Sequence, residues 1–114
     1  MKIFNVEQGR SNMTSLQGYV DVGYRTLVDL FGEPHYDTPS GDEKVNTEWE
    51  LCFQVEDFFG EEKTVYATIY DWKDYDGGMR SRNSDTYEWH IGGFSQDAVE
   101  SVRAAIESRV GVAQ

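Results

Sequence analysis

At 114 residues and 13.1 kDa the chain has the size of one domain and can bury one modest core. No apolar run approaches the roughly 20 residues of a bilayer span, residues 1–15 hold no signal-peptide core, and the lone Cys52 can neither staple the fold nor build a metal cluster, which points to a reducing, cytosolic setting. Twenty-one acidic against ten basic residues give a net charge of −11, a field that repels nucleic acids, nucleotides and anionic membranes and attracts basic proteins.

In chain order, Lys2-Ile3-Phe4-Asn5-Val6 reads as a short strand and Gln8–Asn12 as a polar loop, so residues 1–15 are expected to form a loosely held arm outside an α+β core at 16–110. Leu16–Val22 reads as a strand. Val20, Tyr24, Leu27, Val28 and Phe31 then recur at the spacing of one helix face, which predicts a short helix over 23–31. Gly32 stands where such a helix ends on a positive φ, and Pro34 forbids its continuation. Residues 35–44, rich in Pro, Gly, Ser and Asp, read as a loop.

Residues 46–56 carry the cleanest pattern. Trp49, Leu51, Phe53 and Val55 alternate with Glu48, Glu50, Cys52, Gln54 and Glu56, the period of a strand with one buried and one wet face. Asp57–Glu62 has the length of a hairpin turn, and Thr64–Trp72 is the returning strand, with Val65, Ala67 and Ile69 opposed to Tyr66, Thr68, Tyr70 and Trp72. Residues 73–85 read as a long loop. Thr86–Ile91 is the last strand, with Tyr87, Trp89 and Ile91 inside, and Gly92-Gly93 marks its exit. Ser95 is placed to cap a closing helix over 96–109 with the apolar stripe Val99, Val102, Ile106 and Val110.

The order β-α-β-β-β-α predicts an α+β fold, an antiparallel sheet of three to four strands with two helices on one face. The opposite face then gathers Glu48, Glu50, Glu56, Tyr66, Thr68, Tyr70, Glu88 and His90. Acid and aromatic side chains together suit a basic partner, because carboxylates pair bidentately with arginine and rings stack on its guanidinium plane. A homodimer seam is a second use open to such a face.

Signals for catalysis are weak. His35, His90 and Cys52 lack ligand spacing. Asp74-Tyr75-Asp76-Gly77 begins like a calcium loop, but Met79 stands at position six where glycine is needed and Asp85 at position twelve where glutamate closes the site. Gly93-Phe94-Ser95 is no nucleophile elbow, and an acidic setting raises the thiol pKa of Cys52. Gly92–Ser95 before a helix could cradle a phosphate, with Arg80 and Arg82 nearby in sequence, against which stand the net charge and Asp97. The chain is therefore expected to need no cofactor and no metal.

Leu30-Phe31-Gly32-Glu33-Pro34, Thr68-Ile69-Tyr70-Asp71-Trp72-Lys73 and Trp89-His90-Ile91-Gly92-Gly93 together carry a resemblance over about residues 16–105. The chain resembles small acidic proteins of tailed phages that share this FGEP, YDWK and WHIGG pattern. The resemblance implies a virus-encoded origin and a place in the host cytoplasm. By analogy with viral proteins of this size and charge, it also suggests an inhibitor of a host nucleic-acid-handling or defence protein, comparable to anti-restriction or anti-CRISPR DNA mimics.

The reading is thus a non-enzymatic binding protein that occupies the basic surface of a nucleic-acid-binding host protein and touches neither nucleic acid nor membrane itself. The expected contact residues are Glu48, Glu50, Glu56, Tyr66, Tyr70, Trp72, Asp74, Asp76 and Glu88. The alternatives are a sequestering protein for a signalling nucleotide, which would show a closed pocket of Arg80 or Arg82 with aromatic rings, and a small enzyme.

Overall fold

The computed structural model describes residues 1–9, 14–34, 36–37, 45–73 and 79–112. The elements are β1 (Lys2–Gln8), β2 (Ser15–Val22), α1 (Tyr24–Phe31), β3 (Tyr36–Asp37), β4 (Thr47–Glu56), β5 (Glu62–Tyr70), α2 (Met79–Asn83), β6 (Tyr87–Gly93) and α3 (Asp97–Ser108). The fold is α+β, as the order of patterns predicts: one open antiparallel sheet in the order β1-β4-β5-β6-β2, with β3 pairing β4 off that path.

The sheet is wider than three or four strands because the amino-terminal segment belongs to it. Lys2–Gln8 is an edge strand and no loose arm. It runs along β4 from Lys2 opposite Glu56 to Gln8 opposite Leu51, and Val6, opposite Phe53, is buried. Ile3 and Val6 both face the core, opposite Val55 and Phe53, but a register shift between Ile3 and Asn5 sets them three residues apart, so no period-two alternation shows and the sequence signal is faint.

The core follows the period-two pattern. Trp49, Leu51, Phe53 and Val55 of β4 face Ile69, Ala67, Val65 and Lys63 of β5, and Ile69 in turn faces Ile91 of β6. Trp49 and Trp89 are wholly buried with their rings edge to face, 5.4 Å apart. Burial of an indole demands a partner for its N–H. Trp49 Nε1 donates to the Gly32 carbonyl at 2.8 Å and Trp89 Nε1 to the Val22 carbonyl at 2.9 Å. Both tryptophans thereby tie the sheet to the two ends of α1.

Helix α1 has eight residues, too short to stand alone. It is held by Leu27, Leu30 and Phe31, all buried, with Phe31 edge-on to Phe53 at 6.3 Å. Gly32 ends it with φ +83° and ψ −169°, its amide donating to the Val28 carbonyl. The expected positive φ is present, but ψ is extended instead of left-handed helical, a region open essentially to glycine alone.

Helix α3 lies across the same side of the sheet, with Ala98, Val99, Val102 and Ala105 buried and Ile106 and Val110 partly so. Gly92 and Gly93 end the strand from within it, as the last residues of β6. A Cβ at Gly93 would collide with Ala98 of α3, and one at Gly92 with the Thr68 hydroxyl, so these glycines serve close packing. Ser95 lies one position ahead of the helix cap, Gln96, and its hydroxyl accepts from the Asp97 amide at 3.2 Å. Inside the expected 73–85 loop, residues 79–83 form the short helix α2, where buried Ser81 donates to Asp71.

Two carbonyls of edge strand β2 are claimed by side chains from the closing segment. Gln96 Nε2 donates to the Gln17 carbonyl at 2.7 Å and Arg103 Nη2 to the Tyr19 carbonyl at 2.8 Å. Among the described residues no helix is long and apolar enough to cross a membrane.

Candidate interaction face

The side of the sheet away from α1 and α3 carries the even-numbered residues of β4, β5 and β6. Strand register sets them in rows. Glu48 of β4 pairs with Tyr70 of β5, Tyr70 with His90 of β6, and His90 with Tyr19 of β2, so an acid, a phenol, an imidazole and a second phenol stand side by side across four strands. The His90 ring lies 4.9 Å from Tyr19, 5.5 Å from Tyr70 and 6.0 Å from Trp72. Trp72 sits beyond the end of β5, where buried Asp71 turns inward to accept from the amides of Asn46 and Thr47 at 2.8 and 3.0 Å. Its ring still returns to the row, 6.3 Å from Tyr70.

These groups are neither core nor freely solvated. Tyr19 and Trp72 are each 40% exposed, and Glu48, Tyr70 and His90 are half-buried. Burial, with Glu50 and Asp71 adding repulsion, pushes the Glu48 carboxyl up to about 7. Burial also raises the Tyr70 phenol, reinforced by Glu48. It lowers the His90 imidazole, against the opposing pull of Glu88 and Asp71. His90 Nδ1 is buried without a hydrogen-bond partner among the described residues. A cation laid on this row would meet a carboxylate, two phenols and an indole, and a neutral imidazole that does not repel it.

The row behind it is closed. Glu50 pairs with Thr68, and Thr68 with Gly92. Thr68, expected on a wet face, is buried. At one described end of the β1–β2 connection the Thr14 hydroxyl lies over this row near Gly92; at the other the Gly9 amide extends the β1–β4 ladder to the Glu50 carbonyl, and a Cβ there would crowd Cys52. The face is therefore in two parts. Tyr66 pairs with Cys52 on the far side of that line, and Glu56 pairs with Glu62 at the end of the sheet, about 27 Å along β4 from Glu48. Glu88 pairs with Asp21. Glu48, Tyr70, Trp72 and Glu88 are brought to one end, with Glu50 behind them in the closed row; Tyr66 and Glu56 lie beyond it. Asp74 and Asp76 lie outside the described residues.

Two surface hollows flank the aromatic row. One of about 350 Å³ is lined by Trp72, Arg80, Ser84, Tyr87, Glu88 and His90, with the Arg80 guanidinium 5.9 Å above the Tyr87 ring. The other, about 640 Å³, follows β2 past Tyr19, Asp21, Glu88, Arg103 and Glu107. Arg82, the other cation named for a phosphate pocket, is turned to the Thr47 hydroxyl at 3.2 Å. At the start of α3, Asp97 bonds Lys63 at 2.8 Å.

The Cys52 thiol is raised chiefly by burial, with Glu7 adding to it and Tyr66 opposing. Among the described residues no group of three or more His, Cys, Asp or Glu is placed to hold a metal. Tyr19 and His90 are the members of the row absent from the expected contact set; the sequence pattern sets His90 on this face, whereas the phase of Tyr19 in Leu16–Val22 puts it opposite Val20 and Val22, but nothing in the sequence tells which strand β2 joins. Compared with known proteins, the chain matches no family model, no curated protein and no solved structure.

Proposed function

We propose that the chain is a non-catalytic binding protein whose acid-and-aromatic sheet face occupies the basic, nucleic-acid-binding surface of a host protein, with carboxylates standing in for phosphates. The observation that carries this reading is the in-register row Glu48–Tyr70–His90–Tyr19 with Trp72 beside it. Hot spots of interfaces are enriched in tyrosine and tryptophan, and carboxylates at their margin steer basic partners. The net charge of −11 supports the sign of the partner. The resemblance to small acidic phage proteins is in keeping with a role in the host cytoplasm, as inhibition of a defence or DNA-processing protein.

Affinity capture from the host, read by mass spectrometry, supplies the partner for a binding assay. Its complex with the chain is expected to weaken steeply with salt and to exclude the partner's nucleic acid. E48Q/E50Q/E88Q is expected mainly to slow association, and Y70A or W72A to speed dissociation. An affinity that ignores salt and the triple change, with nucleic acid still bound, removes the phosphate-mimic reading.

A second reading rests on the hollow lined by Trp72, Arg80 and Tyr87, where two rings and a guanidinium could hold a signalling nucleotide. Saturable calorimetric binding of a nucleotide, abolished by R80A, would put this reading first.

A further inference from the structure

We propose that the tip of the β4–β5 hairpin is an apolar anchor, Phe58 and Phe59, for a partner protein that offers a hydrophobic pocket with a basic rim. Phe58 is 78% exposed and Phe59 is 94% exposed, the two most exposed large apolar side chains described. Adjacent free phenylalanines on a turn cost solubility, and turn geometry does not ask for them.

The turn beneath them is rigidly built. One carboxylate oxygen of Asp57 accepts from the amides of Phe59 and Glu61, both at 2.9 Å. The Asp57 amide donates to the Glu61 carbonyl and the Gly60 amide to the Asp57 carbonyl, while Gly60 takes φ +79°. These bonds to the ionised form hold the Asp57 carboxyl below its usual range. The other Asp57 oxygen faces Lys63 at 3.8 Å, and Lys63 is held in turn by Asp97 at 2.8 Å. A backbone fixed before contact loses little entropy on docking, which is what an anchor needs.

Charge selects the occupant. Glu56, Asp57, Glu61 and Glu62 flank the two rings along the chain and outnumber the cations beside them, which are Lys63, already engaged by Asp57 and Asp97, and Lys2, opposite Glu56 in the ladder. A second tip would bring the same carboxylates into opposition, and an anionic bilayer would repel them. A protein pocket rimmed by lysine or arginine satisfies rings and carboxylates together. The proposal stands apart from the sheet-face reading, because the tip lies beyond Glu56, about 27 Å along β4 from the Glu48 row.

The test places p-benzoylphenylalanine at position 59 of the full chain and, as a control, at exposed Glu107 of α3. Each protein is irradiated in extract of the cells that naturally contain the chain, and crosslinked peptides are mapped. The expected product joins position 59, and not position 107, to apolar residues of another protein flanked by lysine or arginine. With that protein in hand, F58S/F59S is expected to lower affinity by roughly 30-fold or more at an unchanged melting temperature, and E48Q/E50Q to change it far less. The proposal is overturned by a product specific to position 59 that joins two copies of this chain, by the absence of a position-specific product, by binding to phosphatidylcholine–phosphatidylserine vesicles that F58S/F59S removes, or by a mapped partner whose affinity ignores the double change.

Discussion

The two faces of β4 are made by one strand and obey different physics. Its odd positions, Thr47 to Val55, are at most 1% exposed and meet the helices through shape. Its even positions are acids, a thiol and an amide, and four of the five are half-buried without lying under any helix. On the first face tight packing leaves no freedom, so volume decides what is tolerated. On the second, partial burial raises Glu48 and lowers His90, so the face is held ready at a cost in ionisation energy. Substitutions on the first should be felt in stability; those on the second should be felt in binding.

The contrast is broken most directly at Trp89. Truncation to alanine removes a buried indole and its bond to Val22, and should cost about 3–5 kcal/mol in chemical denaturation. An unchanged midpoint would mean that the inner face is not the core. Gly32→Val comes next. Its added Cβ finds room, 3.4 Å from Gln8 Nε2, so the loss of roughly 1–3 kcal/mol comes from the backbone conformation alone.

Glu48→Gln should act in the opposite direction. With its folded pKa raised to about 7, the folded state binds a proton that the unfolded state has released between about pH 4.5 and 7. Stability is therefore lost as pH rises through that window. The glutamine variant should match the wild type near pH 4 and exceed it by about 1 kcal/mol at pH 8, the value reduced for the solvent that reaches the group. Melting curves at the two pH values check the sign; a gain that is largest at pH 4 refutes it. The smallest effect is expected for Phe58→Ser/Phe59→Ser, within about 0.5 kcal/mol of wild type by thermal melting, since both rings are already in water.

Periodicity made the inner face readable. Each of Trp49, Leu51, Phe53, Val65, Ala67, Ile69, Trp89 and Ile91 lies where alternation puts it. The outer face was readable as composition, but its arrangement depends on register between strands distant in sequence, which no local pattern carries. Tyr19 reaches His90 only because β2 joins the far side of β6, and Tyr66 is separated from Tyr70 by the buried Thr68 row. The edge strand β1 was obscured by the register shift that breaks its alternation. The Phe58–Phe59 pair was visible as two rings in a turn, and a hairpin reading passes over them because turn residues are judged by backbone geometry.

The bonds from Gln96 and Arg103 to β2 limit how copies can assemble. Both carbonyls are occupied, so an added strand would have to displace an amide and a guanidinium before it could pair there. The opposite edge, β1, carries Lys2 and a register shift between Ile3 and Asn5, which hinder pairing without closing it. Strand addition is therefore easier at β1 than at β2, and a third copy would have to break the Gln96 and Arg103 bonds before it could extend the sheet.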